Sequence, residues 1–273
     1  MSEQTKVRDD LLKFILNCVP SEDTENDWGI EAAAGAGVHE PDATIPPSKD
    51  LREEAWWKIG NQGRTGSCVG WGTAEGVLRW HFVKAGRLQQ DEPLSVRYLW
   101  MAAKESNRKK TRPTTFIEID GTPVKGAMDV VQNFGIVTNS VLPFENPPNT
   151  PELYIEGDEN KFYALAAQRR ISGYFNLGRD LASWRRWIAN NGPIVTRLDV
   201  DSTWYNAGAT QGKLEVYYPP SKPAGHCVAL VGYAPDYFIV RNSWGTDWGD
   251  KGFAYASEKY AAAAFTEAYG VTL

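Results

Sequence analysis

The sequence has few cysteines and no long apolar run. Its 273 residues include three cysteines, Cys18, Cys68 and Cys227. No apolar run approaches the roughly 18 residues that a membrane helix needs, and the N-terminus lacks a secretory pattern because acids occur early and Lys13 interrupts its only apolar patch. An odd cysteine count without an export signal argues against a disulfide framework. We therefore expect free thiols, a cytoplasmic location and no contact with a membrane.

Positive charge is also scarce. The chain carries 29 Lys and Arg against 34 Asp and Glu, for a formal net charge of −5 and a pI near 5.4. A surface that binds nucleic acid needs clustered Lys and Arg, so the composition argues against such a partner. Three cysteines and three histidines without ligand-like spacing argue against a zinc site, and we expect no cofactor. Nothing in the sequence indicates the oligomeric state.

Hydrophobic residues make up 42% of the chain and aromatic residues 12%, enough for one domain or two tightly joined lobes. The sequence predicts helices first and short β-branched strands later, which favours an α+β fold with an antiparallel sheet or barrel. Residues 19 to about 48 form a predicted irregular connector. The predicted helices are 5–18, 67–85, 94–105, 125–134 and 179–190, and the predicted strands are 194–200, 226–233, 236–242 and 252–256.

The segment GRTGSCVGWG, residues 63–72, places Cys68 at the start of a predicted helix, with Ser67 as N-cap and Gly86 beyond the end. A helix N-terminus next to an imidazolium lowers a thiol pKa from about 8.5 to as little as about 3.5, which makes a nucleophile. Taken alone, a free cysteine is more often a small buried hydrophobe. Internal glycines each cost about 1 kcal/mol relative to Ala, so this helix is predicted to be buried and closely packed at Gly70, Gly72 and Gly76.

Three histidines are candidate partners for Cys68. His39 lies in the acidic connector, and His81 lies 13 positions beyond Cys68 (81 − 68 = 13) on the same predicted helix, too far along to reach back. His226 begins a predicted strand that turns at residues 235–236 and returns to Asn242. In such a hairpin the Asn242 amide lies beside the imidazole and orients it. The three residues are thus a candidate nucleophile, base and orienting group.

Three segments resemble the papain family of cysteine peptidases: NQGRTGSC around Cys68, GHCVALVGY around His226 and RNSWGTDWGDKGF around Asn242. The resemblance implies a papain-like α+β fold with a helical left lobe, a right lobe built on an antiparallel sheet or barrel, and an active site in the cleft between them. It also implies an N-terminal extension, residues 1–44, and a papain-like peptidase domain, residues 45–273.

The resemblance implies a role for each matching residue. Cys68 is the implied nucleophile, His226 the general base and later the acid, and Asn242 the residue that holds the ring. Gln62 is implied to donate to an oxyanion hole together with the Cys68 backbone N–H. The implied substrate-binding residues are Gly66, Gly225 and Trp244, the last of which also shields the hydrogen bond between Asn242 and His226.

The sequence departs from the family pattern at three places. Thr65 stands where the family commonly has a second cysteine in a disulfide, which agrees with a reducing compartment. Val69 follows the nucleophile in place of an aromatic residue. The nearest counterpart of the glycine pair that binds substrate backbone in the family is DGTPVKG, residues 120–126.

The implied function is hydrolysis of peptide bonds in a peptide or protein substrate through a Cys68 acyl-thioester, without a metal. Two alternatives stay open: an acyltransferase or transpeptidase that uses the same thioester, and a latent or non-catalytic papain-fold binding protein. For residues 1–44 a retained structural layer is favoured over a removable inhibitory segment. If this extension occludes the cleft, the protein as written is latent.

Overall fold

The computed structural model describes residues 14–53, 55–109, 121–144 and 157–273. A central helix runs without a break from Cys68 to Lys84 and consists of α2, a π-helical stretch and α3. The helices of the described residues are α1 Ile30–Gly35, α2 Cys68–Gly70, α3 Arg79–Lys84, α4 Val96–Lys109, α5 Val124–Asn133, α6 Glu159–Ala167, α7 Leu181–Asn190, α8 Ser202–Tyr205 and α9 Glu258–Ala264, with a 3-10 turn at Thr24–Asn26 and the π-helical stretch at Trp71–Leu78.

Eight strands of the described residues form one open sheet in the order β2-β8-β3-β5-β6-β7-β4, with β1 paired to β5. Neighbouring strands are antiparallel except β4 and β7, which are parallel. The predicted α+β class is therefore confirmed, and of the two predicted forms of the right lobe the sheet is correct and the barrel is wrong. The strands are β1 Lys49–Asp50, β2 Gly173–Asn176, β3 Ile194–Asp199, β4 Lys213–Leu214, β5 Gly225–Ala234, β6 Tyr237–Arg241, β7 Phe253–Ser257 and β8 Phe265–Thr272.

Strand β5 is buried on both faces. Cys227 and Ala229 join the hydrophobic core on the side of the central helix, α4 and α5, whereas Val228 and Leu230 join the core on the side of α7 and α9. Successive residues of a strand point to opposite faces. Cys227 therefore faces the helical layer, away from His226, as the sequence predicts.

The central helix contacts β5 through its glycines. A Cβ at Gly72 would lie 2.7 Å from the Cys227 Sγ, and a Cβ at Gly76 would lie 2.9 Å from the Ala229 Cβ. A Cβ at Gly70 would lie 2.7 Å from a backbone oxygen of α4. The predicted close packing of this helix is confirmed. Because the backbones approach so closely, the start of the helix lies against β5.

The structure tests both predicted ends of the central helix. Gly86 has a φ of +68°, the left-handed conformation that glycine adopts after a helix. Ser67 is the N-cap residue, as predicted, but its side chain makes no cap hydrogen bond. Its hydroxyl lies 2.6 Å from the Thr65 hydroxyl and stabilises the turn before the helix instead.

Residues 14–18 contain a bend and a β-bridge but no helix, so the helix predicted over 5–18 is wrong for this part, while residues 5–13 lie outside the described residues. Cys18 forms a parallel bridge with Thr122, and its backbone N–H donates to the Gly225 carbonyl at 3.1 Å. These pairings to two distant segments satisfy the backbone and override the helical spacing of the apolar residues. The same geometry corrects the interpretation of Cys18 as a residue on a helix face.

The predicted connector after residue 19 contains a 3-10 turn and α1, and it is tied to the body of the protein. Lys125 in α5 forms an ion pair with Asp27 at 2.6 Å, and the Tyr269 hydroxyl donates to the same carboxylate at 3.0 Å. The Asn176 backbone N–H donates to the Trp28 carbonyl at 2.8 Å. The extension is therefore packed onto both layers of the fold.

The other predicted helices and strands are confirmed to within a few residues at their ends. The sequence reasoning missed α6, α8, α9, β1, β2, β4 and β8. Asp158 and Ser257 cap α6 and α9 by accepting backbone N–H groups, a signal that the sequence offered. Within the described ranges, each helix is too short or too polar to cross a membrane.

Gly72→Ala tests the contact between the central helix and β5. The added methyl group meets the Cys227 Sγ at 2.7 Å and backbone atoms of Cys227 and Val228 at 3.2 Å. Overpacking should lower the free energy of unfolding, measured by urea denaturation, by about 1–3 kcal/mol despite about 1 kcal/mol gained in helix propensity. Gly35→Ala is the control, because a Cβ there meets nothing within 4 Å. An equal loss in both variants would contradict this account of the contact.

Candidate active site

Two neighbouring strands hold His226 and Asn242 side by side. His226 lies in β5 and Asn242 directly follows β6, with 2.7 Å between the His226 Nε2 and the Asn242 Oδ1. The Ser243 backbone N–H donates to the same oxygen at 2.8 Å, so this oxygen is the acceptor and the His226 Nε2 donates. In the neutral ring Nδ1 then carries the free lone pair. This nitrogen is buried without a hydrogen-bond partner among the described residues, which leaves it available as a base.

Cys68 is the first residue of the central helix, and its side chain is fully buried. Its thiol is hydrogen-bonded to the backbone of Asn17 and to that of Cys227, the residue after His226. The helix thus places the thiol against the backbone of β5, at the residue that follows His226. The structure pairs His226 with Asn242 and brings the Cys68 thiol to the strand that carries His226, where the central helix meets the sheet.

Burial keeps the Cys68 thiol and the His226 ring uncharged. Desolvation raises the pKa of Cys68 to about 12, and the backbone hydrogen bonds that lower it do not offset this effect. Desolvation lowers the pKa of His226 to about 4, although the hydrogen bond to Asn242 raises it. The prediction of a lowered thiol pKa is wrong for this state of the protein, because the helix terminus is covered and has no charged imidazolium beside it.

Residues 14–19, named the cleft strand, cover the site and join the two layers of the fold. On the helical side, the Asn17 carbonyl accepts from the Thr122 N–H at 2.9 Å, and the Val19 N–H donates to the Thr122 carbonyl at 3.2 Å. On the sheet side, the Cys18 N–H donates to the Gly225 carbonyl at 3.1 Å. The cleft strand therefore extends the backbone pairing of both layers across the site.

The cleft strand also reaches the predicted oxyanion donor. The Gln62 Nε2 donates to the Ile15 carbonyl at 3.1 Å and to the Thr65 carbonyl at 3.0 Å, while the Ser243 hydroxyl donates to the Gln62 Oε1 at 3.0 Å. These contacts orient the amide so that its nitrogen points to the cleft strand. The Ile15 carbonyl thus accepts a hydrogen bond from the amide group that is predicted to donate to a substrate carbonyl.

Three glycines permit this close approach. A Cβ at Gly66 would lie 2.8 Å from the Asn17 Nδ2, and a Cβ at Gly121 would overlap the Val19 side chain. A Cβ at Gly225 would overlap a carbonyl oxygen of the cleft strand. Gly66 and Gly225 are two of the predicted substrate-binding residues, and Gly121 lies in the segment DGTPVKG. All three contact the cleft strand and therefore line the cleft.

Tryptophans shield the pair formed by His226 and Asn242. The Trp244 ring is 3% exposed and its centroid lies 5.1 Å from that of His226. Phe14 of the cleft strand stacks on Trp244 with 4.6 Å between centroids. Trp204 meets the His226 ring edge-on at 5.6 Å, and Trp248 packs on Trp204 at 4.5 Å. The sequence reasoning placed Trp244 here but missed Trp204, which lies in no quoted motif, and assigned no role to Trp248, which lies in RNSWGTDWGDKGF.

Two charged residues of the sheet also hold the cleft strand and its continuation. The Arg197 Nε donates to the Cys18 carbonyl at 3.1 Å. The Glu267 carboxylate accepts from the Ser21 backbone N–H at 2.9 Å and from the Ser21 hydroxyl at 2.7 Å. Arg197 and Glu267 are paired across β3 and β8. Neither residue lies in a motif that the sequence offers.

The other two histidines lie elsewhere, as the sequence reasoning expected. His39 packs against Trp187 of α7 with 6.3 Å between ring centroids. His81 is buried on the central helix, and desolvation lowers its pKa to about 4. In the part of the chain that the structure describes, no group of three or more His, Cys, Asp or Glu side chains is arranged to hold a metal ion.

Comparison with known proteins agrees with this geometry. A family model described as papain family cysteine protease matches residues 45–270. The chain belongs to this family. Cathepsin J of Mus musculus is 28% identical over 225 residues, which are 77% of this chain and 59% of that protein. Papain of Carica papaya is 28% identical over 225 residues, which are 79% of this chain and 56% of papain, so the chain spans less than two thirds of the length of these relatives.

Solved structures show the same fold. Xylellain, a cysteine protease from Xylella fastidiosa, superposes with a TM-score of 0.74 at 19% identity over 95% of this chain and 96% of xylellain. Digestive procathepsin L 3 of Tenebrio molitor gives a TM-score of 0.67 at 19% identity over 96% of this chain and 78% of that chain. The papain-like α+β fold is therefore confirmed.

Asn242→Ala tests the role of the amide beside His226. Without the hydrogen bond to Asn242 the ring loses its orientation, so we expect kcat/KM for a peptide substrate to fall about 10²-fold. The same hydrogen bond raises the pKa of His226, and His226 must be neutral to act as the base, so loss of the bond should move the acid limb of the pH profile of kcat/KM to lower pH. Asn176→Ala is the control, since its amide oxygen accepts from Gly178 in a remote turn. An unshifted limb in Asn242→Ala would contradict the assigned role.

Proposed function

We propose that this protein hydrolyses peptide bonds with Cys68 as nucleophile and that its own cleft strand keeps it latent. The observation that carries the proposal is the hydrogen bond from the Gln62 Nε2 to the Ile15 carbonyl. A backbone carbonyl of the chain itself occupies the donor next to the thiol, where the carbonyl of a substrate would bind. The family relationship supports the reaction, and the position of the cleft strand supports latency.

The reaction follows from the residues that the cleft strand covers. Once a substrate replaces the strand, the Cys68 thiol transfers its proton to the His226 Nδ1 and the sulfur attacks the peptide carbonyl. The negative oxygen that forms accepts hydrogen bonds from the Gln62 Nε2 and the Cys68 backbone N–H. His226 then protonates the leaving amine, and later removes a proton from the water that hydrolyses the thioester. Asn242 holds the ring throughout.

The same backbone groups that hold the cleft strand suit an extended peptide. The Gly225 carbonyl and both backbone groups of Thr122 pair with the strand, and main-chain pairing of this kind binds peptides with little regard to their side chains. Arg197 and Glu267 stand beside these groups and become available when the strand leaves. A peptide or protein substrate in extended conformation is therefore the proposed occupant of the cleft.

The contacts of the cleft strand favour the inhibitory role for the N-terminal extension over a purely structural layer. The extension does pack onto the body of the fold, through Asp27 and Trp28. Its first described residues, however, cover Cys68 and His226, and one of their carbonyls accepts the hydrogen bond of the predicted oxyanion donor Gln62. The family relationship favours hydrolysis over acyl transfer and over a binding protein. We also place the protein in a reducing compartment such as the cytoplasm, a proposal supported by the three free thiols.

Phe14→Ala tests latency and catalysis together. Phe14 is 5% exposed and stacks on Trp244, so its truncation should release the cleft strand about 10-fold to 100-fold more often. We expect iodoacetamide at about pH 6, where an ordinary thiol is protonated, to label Cys68 faster by that factor, and peptide hydrolysis to rise in parallel. Labelling is located by peptide mapping.

Two variants control this experiment. Tyr218→Ala removes an aromatic side chain that is 59% exposed, so it should leave the labelling rate unchanged. Cys68→Ala in the Phe14→Ala background should abolish both labelling at this position and hydrolysis. Fast labelling of Cys68 in the unaltered protein would refute latency, and persistent hydrolysis without Cys68 would refute the proposed nucleophile.

A further inference from the structure

Arg241 is a buried arginine beside the candidate site that takes no part in the proposed proton transfers. It is 4% exposed and ends strand β6, so that it directly precedes Asn242. A charged side chain is rarely this buried unless it is paired or hydrogen-bonded. The partners of its guanidinium therefore indicate what it does in the fold.

The guanidinium binds two consecutive backbone carbonyls. Its Nη1 donates to the Trp57 carbonyl at 2.9 Å, and its Nη2 donates to the Lys58 carbonyl at 2.5 Å. The same group lies over the Trp57 ring, 4.6 Å from the centroid. Because the donors of an arginine form a rigid planar fork, one side chain can hold two acceptors in a fixed geometry. Arg241 thus fixes the backbone of residues 57–58 against the end of β6.

The backbone that Arg241 holds leads directly to Gln62, and on the way it pairs with the chain just beyond β6. The Gly245 N–H donates to the Gly60 carbonyl at 3.0 Å, and the Gln62 N–H donates to the Ser243 carbonyl at 2.8 Å. The Ser243 hydroxyl also donates to the Gln62 Oε1 at 3.0 Å. One end of a short segment is thus held by Arg241, and its other end carries the predicted oxyanion donor.

The segment is also tied to the central helix. The Trp57 indole Nε1 donates to the Glu75 carbonyl at 2.5 Å, and Glu75 belongs to the helix that begins with Cys68. Arg241 therefore lies where three elements meet: the helix of the nucleophile, the segment of the oxyanion donor and the strand that leads to the orienting asparagine. A shift of one element would move these groups relative to each other.

We propose that Arg241 is a positioning residue that sets the distance between the Gln62 amide and the pair formed by His226 and Asn242. It does not contact the substrate and acts through Gln62. An oxyanion donor is effective only when it lies about 2.7–3.1 Å from the position that the negative oxygen takes. A small shift of the segment therefore weakens stabilisation of the transition state more than binding of the substrate. The role rests on the proposed function, in which Gln62 stabilises that oxygen.

Arg241→Lys tests this role, because an ammonium group keeps the charge but cannot hold the two carbonyls as a planar fork. All variants carry Phe14→Ala to open the cleft, and each rate is divided by the amount of Cys68 that iodoacetamide labels at about pH 6. We expect kcat to fall about 10-fold to 100-fold with KM nearly unchanged. A peptide aldehyde, whose oxygen takes the place of the oxyanion once Cys68 has added to it, should bind more weakly by the same factor. An unchanged kcat would overturn the proposal.

A double-mutant cycle separates positioning from a general structural effect. Gln62→Ala alone should lower kcat about 10²-fold to 10³-fold, and Arg241→Lys should add little in that background because it acts through Gln62. Arg79→Lys is the control and should leave kcat unchanged, since this buried arginine binds the Glu75 carboxylate and the Gln90 carbonyl, each at 2.7 Å. Equal losses from Arg241→Lys in both backgrounds, or an equal loss in Arg79→Lys, would overturn the proposal.

Amide hydrogen exchange of the full-length protein tests the position of the segment without any need for activity. We expect the Gln62 backbone N–H to exchange about 10-fold faster in Arg241→Lys, because the segment opens locally more often, and at an unchanged rate in Arg79→Lys. Unchanged exchange in Arg241→Lys, or equal acceleration in Arg79→Lys, would overturn the proposal. If exchange accelerates as expected but Cys68 labels in no variant and none hydrolyses peptides, the hold of Arg241 on the segment stands and the proposed function is wrong.

Discussion

The contact between the central helix and strand β5 is the constraint on which the site depends. Gly72 and Gly76 let the helix backbone lie directly on Cys227 and Ala229, and this distance fixes the position of the first residue of the helix. A side chain at either glycine would lift the helix and move Cys68 away from the strand that carries His226. The glycines weaken the helix by about 1 kcal/mol each, a cost that the packing of the two layers offsets.

The second determinant is the removal of water by the cleft strand. A thiolate and an imidazolium need solvation or each other, and in the covered site the thiol pKa is about 12 and the imidazole pKa about 4. Under the proposed function, the covered site thus holds the nucleophile in its unreactive form while the cleft strand blocks the substrate. The cleft strand fills the cleft and keeps Cys68 and His226 uncharged at the same time, since both effects depend on the backbone pairing of residues 14–19.

The sequence predicted the pairing of His226 with Asn242 better than it predicted the segment that covers the candidate site. Cys68, His226 and Asn242 lie in segments with specific motifs, and the hairpin of β5 and β6 followed from local patterning. The cleft strand was assigned to a helix because its apolar residues have helical spacing, whereas its conformation is set by pairing with Thr122 and Gly225, which lie far away in the chain. Arg197 and Trp204 belong to no motif, and Thr122 lies in DGTPVKG without a predicted role, so only the fold could reveal their contacts.

The protonation state of His226 in the full-length protein tests the account most directly. With three histidines in the chain, a nitrogen-15 NMR titration can follow each ring, and His226→Gln identifies its signals. The account predicts a neutral ring, protonated at Nε2, that titrates only near pH 4, with Cys68 as a thiol at neutral pH. An imidazolium at His226 that persists at neutral pH would show an exposed ion pair with Cys68 and would contradict a covered, uncharged dyad.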